Sequence, residues 1–222
     1  MANRRKVSSL LALAVLATVV QRPMHPYEMA SLMRARGKDD DMEIKWGSLY
    51  TVVRNLAKHG FIEVAGSTRE GARPERTVYR ITDAGRAELV DWVRELVSTP
   101  QPEHPKFKAG LSVLSALTPD EATTLLRQRL DAMERATGAL RATLARHGAD
   151  VPRLFLVEDE YELAVREAEA AWVRSLLDEL TSGSFPDLAA WRAWHATGEI
   201  PPDLAELAER GSTTSESEGR EP

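Results

Sequence analysis

The sequence predicts a mainly α-helical protein with one small antiparallel β-hairpin. Apolar residues recur at helical spacing through most of the 222 residues. Two short runs rich in β-branched and aromatic residues, 61–64 and 77–82, are separated by a loop that carries several arginines. A proline-dense segment, residues 99–105, then separates this front half from a rear half with two long helical stripes.

The first two helices are predicted from an apolar run and from the position of a proline. Residues 7–20 are almost continuously apolar, which indicates a buried helix. A second helix opens within residues 23–29, where Pro26 falls in the first turn. A proline is tolerated there because the N–H that it lacks would have no partner inside the helix. Apolar residues continue at helical spacing, and Gly37 ends the segment.

A third, short helix is predicted to have one buried face and one polar face. Leu49, Val52, Val53 and Leu56 follow the spacing i, i+3, i+4, i+7, and Gly60 ends the helix. The other face offers hydroxyl, guanidinium, amide and ammonium groups, which bind phosphates and base edges in the major groove of DNA. These groups belong to Ser48, Thr51, Arg54, Asn55 and Lys58.

The order helix, helix, third helix, strand, loop, strand is that of a winged helix-turn-helix. The third helix would then be the recognition helix, and the hairpin would be the wing. Arg69, Arg73 and Arg76 lie in and beside the hairpin loop, so the wing would be basic. The alternative interpretation is a small α/β unit with ordinary surface arginines.

The charge of the chain is unevenly distributed. The net charge of −5 argues by itself against a protein that binds nucleic acid. Residues 1–97, however, hold 16 Lys and Arg against 12 Asp and Glu, whereas residues 98–222 hold 13 against 22. A basic front half and an acidic rear half fit a DNA-reading head attached to a different module.

Several other classes of protein are not expected. Residues 4–20 imitate a secretory signal, but the apolar run is too short to span a bilayer, and cleavage would remove the first helix. We therefore expect a cytoplasmic protein with no membrane partner.

No enzymatic or metal-binding pattern is visible either. The chain has no cysteine, its five histidines have no ligand-like spacing, and acidic residues 39–43 lack the other features of a calcium loop. Phosphate-binding loops and nucleophile elbows are also missing. We expect no metal, no cofactor and no catalysis.

The rear half is predicted to form a helical hairpin. Thr118, Pro119 and Glu121 make a strong helix start, with a capping side chain, a first-turn proline and a capping box. Two apolar stripes follow, and packing of the two helices against each other within the chain is one interpretation of them. A two-helix hairpin has too little core to bury both stripes fully, so a second copy of the chain is also expected as a partner. The stripes are Leu126, Leu130, Met133, Thr137, Leu140 and Leu144, then Tyr161, Val165, Ala168, Trp172, Leu176 and Leu180.

The chain is predicted to end in a short helix and an acidic tail. Residues 186–195 have the pattern of a last helix. Residues 198–222 are rich in serine, glutamate, glycine and proline, which is typical of disorder.

With these elements in place, the chain resembles the PadR-like family of transcriptional regulators. The resemblance lies in the segment HPYEM of the second helix, GSLY-x(5)-L of the third helix, and YRITDAG after the wing. These motifs are specific and cover residues 7–97, whereas the likeness extends to about residue 197 by helix layout alone. Many relatives carry proline where this chain has Thr51, a departure that leaves the interpretation intact.

The resemblance implies a dimeric, sequence-specific DNA-binding regulator, most often a repressor. It implies a winged helix-turn-helix domain at residues 1–97 and a helical dimerisation domain at residues 98–197. Some relatives respond to phenolic acids or lipophilic drugs, so a small aromatic or lipophilic effector is a further expected partner. The candidates for lining its site are Trp92, Trp172, Trp191 and Trp194, for which packing in an ordinary core is the alternative.

Each candidate DNA-binding residue has an expected role. Tyr50 is expected to donate a hydrogen bond to a phosphate, unless it packs against the second helix with its hydroxyl satisfied internally. Ser48 and Thr51 lie at a helix N-terminus, where phosphates bind. Arg54 and Asn55 are placed for base edges and Lys58 for the backbone. The wing residues Arg69, Arg73 and Arg76 are expected to reach phosphates or the minor groove.

A second hypothesis comes from a different class of function. A winged helix can serve as a scaffold for protein interaction without specific DNA binding, with the acidic rear half holding a partner. The basic wing and the polar face of the third helix favour the DNA-binding hypothesis.

Overall fold

The computed structural model describes residues 5–38, 42, 44–68 and 76–202. The chain divides into two compact units, Met1–Glu103 and His104–Pro222. The elements of the first unit are α1 (Leu10–Val19), α2 (Pro26–Ala35), a 3-10 turn (Trp46–Ser48), α3 (Leu49–Lys58), β1 (Ile62–Thr68), β2 (Arg76–Ile81) and α4 (Asp83–Ser98).

Helix α1 is the centre of the first core. Its side chains are buried on almost every side, including Val15 and Leu16, which are fully buried. Helices α2, α3 and α4 and strand β2 all contact it. The observed helix is shorter than the predicted one because the Ser9 hydroxyl accepts the N–H of Ala12 at 3.3 Å and so caps the helix.

Strands β1 and β2 form the predicted antiparallel hairpin, with Ile62 opposite Ile81 and Thr68 opposite Arg76. A register shift between Val64 and Gly66 marks a bulge, which increases the local twist of such a hairpin. Residues 69–75, at its tip, lie outside the described residues.

A short bridge attaches the beginning of α2 to this hairpin. The Met24 N–H donates to the Tyr79 carbonyl oxygen at 3.0 Å, and the Tyr79 N–H donates to the Met24 carbonyl oxygen at 3.1 Å. The bridge holds the next residue, His25, beside β2.

The segment YRITDAG, which follows the wing, contains the residues that begin and cap α4. The Thr82 hydroxyl accepts the N–H of Gly85 at 3.0 Å and donates to the carbonyl oxygen of Gly60 at 2.6 Å. One side chain therefore caps α4 and ties it to the turn between α3 and β1. The same helix buries Trp92, over which the Arg5 guanidinium lies at 5.2 Å.

The second unit is built around a long helical hairpin. Its elements are α5 (Lys106–Leu111), a 3-10 turn (Leu114–Ala116), α6 (Pro119–His147), a 3-10 turn (Arg153–Phe155), α7 (Val157–Ser182) and α8 (Leu188–Thr197). Helices α6 and α7 run antiparallel, since Glu134 pairs with Arg174 and Arg141 pairs with Glu167. The predicted cap of α6 is confirmed, because the Thr118 hydroxyl accepts the N–H of Glu121 at 3.2 Å.

Two 3-10 turns set where helices of this unit end and begin. Helix α5 ends at Leu111, because the chain continues through a 3-10 turn, and α7 begins at Val157, since Pro152 and another 3-10 turn come first. The last helix spans Leu188–Thr197, and the predicted tail lies outside the described residues from position 203 onward.

The stripe predicted on α7 divides between buried and exposed positions in the protomer. Leu176 and Leu180 are buried, but Tyr161 is 72% exposed and Trp172 is 49% exposed. The face that packs on α6 is formed by Ala170, Val173, Leu176, Leu177 and Leu180. Helix α7 thus carries two apolar stripes, and the one nearer its N-terminus is exposed.

Candidate nucleic-acid interface

The predicted two faces of α3 are confirmed by burial. Leu49, Val52, Val53 and Leu56 are all buried in the first core. The solvent-exposed side chains are Tyr50, Thr51, Arg54, Asn55 and Lys58. The helix therefore presents the hydroxyl, guanidinium, amide and ammonium groups together on its outer surface.

The turn before α3 fixes where this surface begins. The Arg34 guanidinium lies 4.0 Å from the centre of the Trp46 ring, a cation–π contact between α2 and the 3-10 turn. The Ser48 hydroxyl donates to the Lys45 carbonyl oxygen at 2.7 Å and makes no cap bond to α3. Its single hydrogen is used inside the turn, so in this geometry Ser48 has no side-chain donor left for a phosphate.

Arg54, the cation near the middle of the exposed face of α3, is available for a ligand. Arg54 has no carboxylate partner among the described residues, and its Nη2 lies 3.4 Å from the Thr51 hydroxyl oxygen. On the hairpin, by contrast, Arg80 is paired with Glu63 at 2.7 Å. An unpaired guanidinium is the group that binds phosphates and guanine edges most readily.

The structure describes one of the three wing arginines. Arg76 begins β2 and is half-buried, whereas Arg69 and Arg73 lie outside the described residues. Arg76 is close enough to His25 to influence its ionisation electrostatically. This residue joins the wing to the surface formed by α3.

A cleft of about 300 Å³ lies where α2, α3 and β2 meet. The Tyr50 ring stands edge-on to the His25 ring, with 6.4 Å between their centroids, and Tyr50 is 56% exposed. The Tyr50 hydroxyl has no hydrogen-bond partner within the described residues. The lining residues are His25, Pro26, Tyr50, Val53, Arg54, Thr77 and Tyr79.

Two polar residues of this cleft were missed by the sequence reasoning. The sequence pattern indicates only an ordinary strand residue at Thr77. At His25 it indicates only the residue before a proline that starts a helix. They share a cleft because the bridge between Met24 and Tyr79 joins two distant segments. The HPYEM segment was the available signal, since it places a polar ring at the start of α2.

The His25 ring is held in one orientation and kept neutral. Its Nδ1 accepts the N–H of Tyr27 at 3.1 Å. Burial lowers the pKa of His25 below its ordinary value, and the charge of Arg76 lowers that pKa further, against the opposing effect of Glu28. The neutral ring with an accepting Nδ1 carries its proton on Nε2.

Other kinds of site find no support in the described part of the chain. No group of three or more His, Asp or Glu side chains there could hold a metal ion. Among the helices that the structure describes, none has the combination of length and apolarity needed to cross a lipid bilayer.

The candidate effector tryptophans fall into two groups. Trp92 and Trp191 are buried in the two cores, and the Trp191 Nε1 donates to the Leu117 carbonyl oxygen at 2.9 Å. Trp172 is half exposed beside Phe107, and Trp194 stacks on His195. Core packing therefore explains Trp92 and Trp191 and in part Trp194, which packs against the second core, whereas Trp172 is the most exposed of the four.

Comparison with known proteins gives matches to one family. A family model described as the transcriptional regulator PadR-like family matches residues 15–91. The negative transcriptional regulator PadR of Bacillus subtilis (strain 168) is 29% identical over 86 residues, which is 39% of this chain and 47% of that protein. The match thus spans about half the length of this relative.

Solved structures support the same fold over more of the chain. Bacillus subtilis PadR in complex with operator DNA has a TM-score of 0.65 at 21% identity and covers 77% of this chain and 99% of its own. The same protein in complex with p-coumaric acid has a TM-score of 0.63 at 21% identity, covering 78% and 99%. The virulence activator AphA of Vibrio cholerae has a TM-score of 0.58 at 19% identity, covering 78% and 98%.

Proposed function

We propose that this chain, whose residues 15–91 match the PadR-like family of transcriptional regulators, binds a specific DNA operator as a homodimer and regulates transcription there. The relative matched by sequence is a negative regulator, which favours repression as the sign of regulation. The proposal includes no enzymatic activity, and it places the protein in the cytoplasm with the DNA that it reads.

The observation that carries the proposal is the exposed polar face of α3. A buried apolar stripe anchors this helix, while Arg54 and its neighbours stand in solvent next to the hairpin. Bacillus subtilis PadR, whose fold this chain shares, has been solved in complex with operator DNA. A recognition helix with a neighbouring wing is the arrangement by which such domains read a major groove.

The residues divide into base-reading and phosphate-binding groups. Arg54 and Asn55 lie near the middle of the exposed face, and we assign them to base edges. Tyr50, Thr51 and Lys58 flank them and suit the phosphate backbone, as do Arg69, Arg73 and Arg76 of the wing. Ser48 is the weakest member of the phosphate-binding group, because its hydroxyl and its main-chain N–H both donate to the Lys45 carbonyl oxygen.

An exposed apolar stripe on α7 supports the homodimer. Val157, Tyr161, Val165 and Trp172 are 47%, 72%, 46% and 49% exposed, and with Ala168 they follow the four-and-three spacing of a helix–helix seam. Exposed stripes of this kind mark interaction surfaces. A second copy of the chain is the occupant that a two-fold symmetric operator requires. The helical region around residues 98–197 is thus the proposed dimerisation domain.

A small aromatic or lipophilic effector is the proposed regulator of DNA binding. The structure of Bacillus subtilis PadR in complex with p-coumaric acid supports an aromatic acid as the first compound to test. Trp172 is half exposed and Trp194 is partly buried, so an aromatic ligand bound near either should change the tryptophan fluorescence. A graded fluorescence change that coincides with release of DNA would support this part of the proposal.

The main experiment is equilibrium binding to the DNA upstream of the chain's own coding region. Fluorescence anisotropy with this duplex and with a shuffled duplex of equal length, each at several salt concentrations, separates specific from non-specific binding. We expect tighter binding to the native duplex at every salt concentration. Equal binding to both duplexes, or no binding, would favour the protein-interaction module instead.

A further inference from the structure

We infer that the cleft between α2, α3 and β2 holds one phosphodiester of the bound DNA, with the Nε2–H of His25 and the hydroxyl of Thr77 as neutral donors beside Arg54. The inference rests on the proposed function and adds two residues to it. It also assigns the cleft a ligand class, the backbone phosphate.

The first step is that the His25 ring has a fixed donor. Its Nδ1 is engaged as the acceptor for the Tyr27 N–H at the start of α2. The proton of the neutral ring is therefore on Nε2, which has no partner within the described residues. A ring fixed by one nitrogen needs little reordering when its other nitrogen binds a ligand.

The second step is that other donors converge on the same cleft. Tyr50 and Arg54 enter it from α3, and Thr77 enters it from β2. Tyr50 and Thr77 are exposed, and neither hydroxyl has a partner in the described part of the chain. Within the cleft Arg54 is the cation, and no carboxylate lines the space. A pocket lined by several donors, one cation and no carboxylate suits an anion.

The third step concerns the charges around the ring. Arg76 faces His25 from β2, and Glu28 faces it from α2, where Glu28 forms an ion pair with Arg22. Arg54, Tyr50 and Tyr79 are the remaining ionisable groups of the cleft. The surroundings are thus more positive than negative, which favours a phosphate and disfavours a second proton on His25.

The test uses the full-length protein with His25→Asn and Thr77→Val. Asparagine is a good helix-capping residue, so the cap can be kept while the Nε2 donor is lost. Valine removes the Thr77 hydroxyl and suits a strand. Each change should weaken binding to native and shuffled duplexes alike by about 5- to 10-fold. The salt dependence should stay unchanged, because a neutral donor displaces no counterion.

Two controls keep this result interpretable. His147→Asn makes the same change at the end of α6 and should leave DNA affinity unchanged. Thermal unfolding of the His25→Asn protein should match the wild type, since the cap is preserved. If the wild type binds duplex DNA and both cleft variants bind it equally well, the inference is wrong while the proposed function stands. If the wild type itself binds no duplex, both are wrong.

The identity of the contacted group is tested with modified DNA. Uncharged methylphosphonates placed in symmetry-related pairs along the native duplex remove one phosphate charge from each half-site. At one pair of positions the difference between wild type and His25→Asn should disappear, which is the coupling expected of a direct contact by each protomer. A difference that persists at every position would mean that His25 does not contact a backbone phosphate. Inorganic phosphate that shifts the His25 ring signals, together with normal duplex binding by the variant, would indicate a free-anion site and overturn the inference.

Discussion

Gly85 lies directly against the carbonyl oxygen of Phe61. A Cβ atom at position 85 would be 1.9 Å from that oxygen and 2.9 Å from the Ile81 side chain. Helix α4 can approach the start of β1 this closely because glycine has no side chain. The Thr82 hydroxyl completes the contact by accepting the Gly85 N–H and bonding to the Gly60 carbonyl oxygen. The glycine of the motif YRITDAG thus has a packing role.

Gly85→Ala should destabilise the first unit by about 1–3 kcal/mol, because α4 must move away from a backbone carbonyl that cannot yield cheaply. Native-state hydrogen exchange of the α1 amides measures this, since α1 is the centre of that core. Gly47→Ala is the control, because nothing lies within 4 Å of a Cβ built there. Equal protection of α1 in the two variants would contradict the close packing.

Arg54→Ala should weaken binding to the native duplex by about 1–3 kcal/mol and reduce discrimination against the shuffled duplex. The side chain is exposed and has no carboxylate partner among the described residues, so the fold should be unaffected. Anisotropy titrations of both duplexes measure the two effects separately. Arg146→Ala, an exposed arginine of α6, is the matched control. Unchanged discrimination would mean that Arg54 does not read a base.

The recognition helix could be predicted because its pattern is local. The apolar stripe runs from Leu49 to Leu56, so its helical spacing is visible within about two turns, and Gly60 ends the helix. Any helix with that stripe buried must expose Arg54 and Asn55 on the opposite side. The second unit's cap at Thr118 was predictable for the same reason, since capping depends on residues three positions apart.

The cleft could not be predicted, because it depends on contacts between distant segments. His25 and Thr77 share it through the bridge between Met24 and Tyr79, which no local pattern signals. The two apolar faces of α7 could not be told apart from the sequence for a related reason. Both of its apolar stripes have helical spacing, so the periodicity does not say which stripe packs on α6.

Replacement of Arg69, Arg73 and Arg76 by glutamine should weaken binding to native and shuffled duplexes alike. The slope of log affinity against log salt should become shallower by the equivalent of up to about three phosphate contacts per protomer, because a phosphate that meets no cation releases no counterion. The control replaces Arg127, Arg135 and Arg146 of α6, which changes the net charge equally in the second unit. An unaltered slope in the first variant would mean that the hairpin points away from DNA.

Val165→Lys should convert the dimer into a monomer. Val165 lies in the middle of the exposed stripe of α7 and is 46% exposed in the protomer, so a buried charge would be introduced only if a second chain covers it. Ala171→Lys is the control, because this exposed position lies on the same helix but outside the stripe. Sedimentation velocity should give a dimer for the wild type and the control and a monomer for Val165→Lys.

The monomer should also lose the benefit of binding two linked half-sites, commonly about 10²- to 10⁴-fold in affinity. A Val165→Lys protein that stays dimeric and binds DNA normally would place the dimer interface elsewhere in the chain.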